Sequence, residues 1–193
     1  VTLDGRNFPW SADRAVDRVR NVRVTAEPNA WTGLARVAAE VTPMRVSIQN
    51  EGTVPVRLQY SDFVLVTTSG ARYSALPPYQ IDGEVADPTL VDAYTPVGRP
   101  GFTYDRFTVA QPYAGLYPSI RAYTRPYTYD RVYYDRYATV YRDIALPTEN
   151  MIEQVLPEGV IEPGGNVRGF LFFEHIPSDA GRARFRADIV NAE

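Results

Sequence analysis

From residue 43 onward, apolar and polar side chains alternate in short bursts. Met44, Val46 and Ile48 interleave with Arg45, Ser47 and Gln49, the period of two that marks a half-buried strand. Asn50-Glu51-Gly52 turns the chain, and Val56, Leu58 and Tyr60 then alternate with Arg57 and Gln59. Phe63 and Leu65 open a third strand, Ser69-Gly70 makes a tight turn, and Arg72 to Leu76 returns as a fourth. Toward the end of the chain, Glu162-Pro163-Gly164-Gly165 reads as a turn. It is followed by a strand from Val167 to Glu174 whose Phe170-Leu171-Phe172-Phe173 run is apolar on both faces. Such a strand belongs in the middle of a sheet, covered on each side. Pro177 to Gly181 turns again. In the last strand Ala183, Phe185, Ala187 and Ile189 face inward, with Arg182, Arg184, Arg186 and Asp188 outward.

The first forty residues are less regular. Val1 to Trp10 reads as an extended lead-in. Ser11 is placed to cap a short helix carrying Ala12, Ala15, Val16 and Val19 on one face, whereas Val22, Val24 and Ala26 already alternate with Arg23 and Thr25. A brief helical turn followed by a strand is the expectation. Pro28 to Gly33 forms a turn containing Trp31, and Leu34 to Glu40 adds another helical turn. Near the other end, Thr148 caps a short helix through Leu156 with Met151, Ile152 and Val155 inward, ended by Pro157-Glu158-Gly159.

Between the two alternating blocks, residues 77–146 follow neither period for long and are rich in Pro, Tyr and Arg. Tyr-Asp-Arg occurs three times, at Tyr104-Asp105-Arg106, Tyr129-Asp130-Arg131 and Tyr134-Asp135-Arg136, without the even spacing of a solenoid. The stretch is too aromatic for a disordered linker. It reads as an ordered insertion packed on the rest, and long insertions in compact domains are often functional.

Composition narrows the function classes. The 193 residues fit one domain, 1–193, which buries enough surface to need no staples. With no cysteine, disulfides, zinc–thiolate sites and thiol nucleophiles are excluded. All 20 basic residues are arginine, which removes every lysine-based mechanism. A net charge of −3 argues against nucleic acid, whose binders carry basic faces. No apolar run approaches the ~18 residues of a membrane helix. The residues given show no signal peptide, which a cleaved exported chain would have lost.

Two blocks, Val41–Ile81 and Leu146–Glu174, carry a resemblance. Its motifs are Asn50 and Gly52 at a strand end, Tyr60, Asp62, Phe63 and Leu65 in the next segment, and Pro163 through Phe173. Together they resemble bacterial envelope proteins, often lipoproteins, with a DUF4352-like, telokin-like immunoglobulin domain. The resemblance covers somewhat over a third of the chain and its motifs are architectural. It implies an immunoglobulin-like β-sandwich, export to the periplasm or outer membrane, and often a lipidated cysteine, which would lie outside the residues given. It brings no catalytic residues and no cofactor.

Candidate chemistry is sparse. His175, next to Glu174 at a strand end, is the single histidine: it has the chemistry of a general base or metal ligand, but an ordinary strand-end role is the simpler reading. Asp82, Glu84, Asp87 and Asp92 cluster around Gly83 and Pro88, but without the EF-hand spacing a solvated acidic loop is expected before a calcium site. Glu149 and Glu153 share a helical face, as any acidic chain allows. The richest surface is the insertion, where Tyr104, Arg106, Tyr129, Arg131, Tyr133, Tyr134, Arg136 and Tyr137 combine the two residue types enriched at binding hot spots. Two readings stand there: an exposed contact surface, or arginines paired internally with aspartates and laid across tyrosine rings. The expectation is a mainly β, immunoglobulin-like sandwich with one or two short helices. Its expected function is a non-enzymatic envelope module that binds another protein, with acidic polysaccharide or peptidoglycan at the Tyr-rich insertion as the alternative.

Overall fold

The computed structural model describes residues 2–8, 14–76, 80–81, 84–85, 100–110, 113–123, 149–177 and 179–192. Among these residues, eleven strands form one continuous antiparallel sheet. Its main path runs through β1 (Thr2–Phe8), β12 (Ala183–Asp188), β6 (Phe63–Thr67) and β7 (Arg72–Leu76) to β11 (Gly159–Glu174). It continues to β4 (Val41–Asn50), β3 (Val22–Glu27) and β2 (Ala15–Val19). Three more strands attach to one half of β11: β10 (Thr103–Val109) along one edge, β5 (Val56–Leu58) along the other, and β13 (Val190–Asn191) outside β5. A separate two-strand ladder joins β8 (Gln80–Ile81) to β9 (Glu84–Val85).

The sheet curls until its two terminal strands, β1 and β2, come within 8 Å of each other. The curl brings distant strands face to face across the interior. Phe185 of β12 stacks on Phe63 at 6.1 Å and meets Phe173 of β11 edge-on at 6.2 Å, although β12 and β11 are separated in the path by β6 and β7. The expected core positions Met44, Val46, Ile48, Phe185 and Ile189 are all buried. So are the inward residues Ala183 and Ala187, which confirms the alternation read for the last strand. The mainly β expectation therefore holds. Both short helices are present, as α1 (Ala35–Glu40) and α2 (Glu149–Gln154).

Three local expectations are revised. Ala15 to Val19 is a strand where a helical turn was expected. Arg20 and Asn21 both adopt positive φ and close a two-residue hairpin to β3, so ladder pairing outweighs the weak helical pattern. Glu162 to Gly165 does not end a strand; it is a bulge within the 16-residue β11. There the pairing with β10 jumps from Asp105↔Asn166 to Phe107↔Ile161, so four residues oppose Arg106 alone. Gly164 and Arg106 both sit at positive φ, and the Arg106 guanidinium donates to the Pro163 carbonyl at 3.1 Å. Finally, residues 103–109 of the expected insertion form a strand of the main sheet, hydrogen-bonded along β11.

Asn50 ties the loop opposite this bulge to the sheet. Its amide donates to the carbonyls of Val54 and Ile161 at 2.8 and 3.1 Å, and its side-chain oxygen accepts from the Gly52 N–H at 3.0 Å. The residue is 1% exposed, so water cannot substitute for these bonds. Asn50→Ala is expected to cost about 2–3 kcal/mol, measured as a lower urea midpoint at unchanged slope. A loss below about 0.5 kcal/mol would contradict the clamp.

Candidate binding cleft

The structure places only some of the expected site residues. Tyr104 lies on β10, 39% exposed, with its ring 5.9 Å from Phe102 and 6.4 Å from Phe107. Arg106 is exposed and donates to the Pro163 carbonyl at the bulge. Tyr129, Arg131, Tyr133, Tyr134, Arg136 and Tyr137 lie outside the described residues, as do Asp82, Asp87 and Asp92 and the side chains of Glu84 and Glu149. The backbone carbonyl of Glu153 accepts from Gly101 at 2.8 Å, so this position of α2 anchors the lead-in to β10.

Trp31 is the residue whose importance the sequence understates. Residues 166, 168, 170 and 172 of β11 share the outer face of the sheet, and Phe170 and Phe172 there need cover. Trp31 supplies it, standing edge-to-face on Phe170 at 5.0 Å and on Phe172 at 5.4 Å. Its indole N–H donates to the Leu34 carbonyl at 3.2 Å, which fixes the ring against the start of α1. The signal available beforehand was the doubly apolar Phe-rich strand, which required a partner without saying which residue it was.

Beside Trp31 opens a cleft of about 660 Å³, within the size range of ligand pockets. Its walls come from the 28–31 loop, Ala38 of α1, the start of β4 at Val41–Pro43, and the chain just past β11 at His175–Pro177. The lining is apolar apart from Asn29, Thr42 and His175. The Thr42 hydroxyl is already engaged, accepting from the Ile176 N–H at 3.0 Å, which pins the two walls together. His175 is exposed at the cleft. Among the described residues its ring makes no hydrogen bond to a carboxylate or hydroxyl of the kind general-base chemistry uses.

A second feature, invisible in the sequence, is a pair of buried carboxylates. Asp62 accepts from the Gln59 N–H at 2.9 Å, and Glu158 accepts from the Tyr60 N–H at 2.9 Å. Both therefore hold the 3-10 turn at Tyr60–Asp62 that leads into β6. Burial pushes the Asp62 carboxyl up to about 7; the Gln59 N–H and Arg57 oppose the shift, while Glu158 and Asp188 add to it. Arg57 faces this group, and its buried Nε has no hydrogen-bond partner among the described residues. Among the described residues, no three His, Cys, Asp or Glu side chains gather as a metal would require. No described helix is long and apolar enough to cross a membrane.

Comparison with family profiles, curated proteins and solved structures gave no match for this chain.

Proposed function

We propose that the chain is a non-enzymatic envelope module whose Trp31 cleft receives apolar side chains of a partner protein. The observation that carries this reading is the cleft itself. A rigid tryptophan, locked by two phenylalanines and a backbone carbonyl, stands beside an apolar cavity with a small polar rim. Interfaces draw their energy from such aromatic anchors and the pockets around them. The finer architecture belongs to the same proposal: the two strand groups on either side of β7 form the two layers of an immunoglobulin-like sandwich of the telokin-like kind. What supports it is the narrow link between them, since β7 meets β11 through two paired residues, Leu76 with Phe172 and Ala75 with Phe173. Export to the periplasm or outer membrane, with any lipid anchor outside the residues given, follows from the resemblance of the two blocks quoted above.

Ala38→Arg tests the cleft. Ala38 is exposed on α1, so the substitution fills the cleft mouth without removing a core contact. Affinity capture from native envelope is expected to enrich a defined partner with the unaltered chain and to lose it, by tenfold or more, with the variant. Recovery of the same proteins with both baits would refute the cleft as the docking site. A second reading, carbohydrate binding through the Tyr-rich insertion, is supported among the described residues by the exposed Tyr104 ring. Tyr104→Ala is the corresponding probe.

A further inference from the structure

Cross-strand partners share a face of a sheet, so the pairing register maps the outer surface of β11, β4, β3 and β2 row by row. One row reads Asn166, Gln49, Arg23 and Arg18; the next reads Arg168, Ser47, Thr25 and Val16; a third brings Phe170, Arg45 and Glu27 together. At about 4.8 Å per strand and 3.4 Å per residue, the rows span a patch of about 14 by 14 Å. Trp31 closes one end, because it packs on Phe170 and Phe172 of this same face.

The patch runs against the charge of the chain as a whole. Two glutamates serve four arginines: Glu51 bridges Arg18 at 2.5 Å and Arg23 at 2.8 Å, and Glu27 bridges Arg45 at 2.5 Å and Arg168 at 3.2 Å. Arg14 and Arg20 stand exposed near the two ends of β2, while Asp105, across from Asn166, places a carboxylate at the β10 edge. Among the described residues of the patch, arginines outnumber carboxylates, on a chain whose net charge is −3. Each bridging arginine gives one nitrogen to a glutamate, and a guanidinium has five N–H donors, so donors remain for a ligand. Arg18, Arg23 and Arg168 are about half exposed, and exposed ion pairs of this kind rearrange cheaply.

We propose that this face binds a carboxylate-bearing polysaccharide laid along β4, its acid groups forked by Arg23 and Arg168 and one sugar ring resting against Trp31. Guanidinium matches carboxylate in bidentate geometry. Gln49 and Ser47 between the arginines offer the neutral donors and acceptors that hydroxyls need. The rows of the sheet are regular, which suits an extended polymer. The ligand lies away from the Tyr-rich insertion and shares Trp31 with the cleft proposed above for a protein partner.

The test is affinity electrophoresis of the whole chain through gels containing polygalacturonate, neutral dextran or double-stranded DNA. The expected result is retardation by polygalacturonate that weakens with salt, with none by dextran and little by DNA. Arg23→Ser/Arg168→Ser is expected to weaken it at least tenfold. Gln49→Glu removes no ion pair and places a negative charge in the middle of the patch; it is expected to weaken binding at least threefold with an unchanged melting temperature, so the answer does not depend on the double variant folding. Absence of retardation by polygalacturonate overturns the proposal. So does retardation that survives Gln49→Glu, or equal retardation by DNA, which would make the face a general polyanion surface.

Discussion

Replacing Gly159 by alanine is expected to destabilise the protein by about 3 kcal/mol or more, a large effect for the addition of a single methyl group. Gly159 begins β11 with a strand on each side, paired to Leu58 of β5 and to Val109 of β10. A Cβ at this position would clash with the Thr108 carbonyl oxygen and stand 2.5 Å from the Phe107 ring. The first contact is with backbone, so relief requires β10 to move away from the sheet. Gly70→Ala is the control. That glycine has φ +87 but nothing within 4 Å of the added carbon, so backbone strain alone should cost about 1–2 kcal/mol. Urea unfolding of both variants separates close approach from strain. A Gly159→Ala stability within about 1 kcal/mol of the parent would mean that β10 stands further from β11 than their pairing requires.

Asp62→Asn is expected to stabilise the protein at pH 8 and to do so much less at pH 4.5. A carboxyl raised from 3.8 to about 7 keeps its proton in the folded state over a range where the unfolded chain has released it. The folded state thus binds more protons, and stability falls as pH rises from about 4 to about 7. Above 7 the buried charge exacts its full penalty, on the order of 4 kcal/mol as an upper limit. Asparagine retains an oxygen to accept from the Gln59 N–H, so the turn keeps its bond while the charge is gone. Arg57, Glu158 and Asp188 act on the same carboxyl and are present in both proteins. Thermal melts from pH 4.5 to 8 should show that difference growing with pH. A difference independent of pH would mean that Asp62 is ionised throughout and that its surroundings are more polar than its 9% exposure indicates.

How much of the candidate sites could be read in advance depended on the kind of residue. Arg23 and Arg45 were legible as outward positions of alternating strands, but not as neighbours of Arg168, because β11 is brought beside β4 by pairing across more than a hundred residues. Trp31 looked like a turn residue, since its partners Phe170 and Phe172 are equally remote. The burial of Asp62 and Glu158 had no signal in the sequence, since carboxylates are seldom buried. β10 escaped notice because it lies at an edge, with its first four side chains exposed and only Phe107 and Val109 buried, so no period of two stands out.

The amino-acid sequence alone determined the strands around Met44–Ile48, Phe63–Leu65 and Ala183–Ile189 and which side of the first and last is apolar, because alternation reflects a local constraint: neighbouring side chains on an extended chain must point to opposite faces. It also excluded thiol and lysine chemistry outright by composition. Only the tertiary structure decided the order of the strands, the bulge where Arg106 faces Glu162–Gly165, the burial of Asp62, and the grouping of arginines on one face. Those outcomes depend on which distant edges pair and in what register. Register is set by the summed fit of many side chains, a quantity no short window of sequence contains.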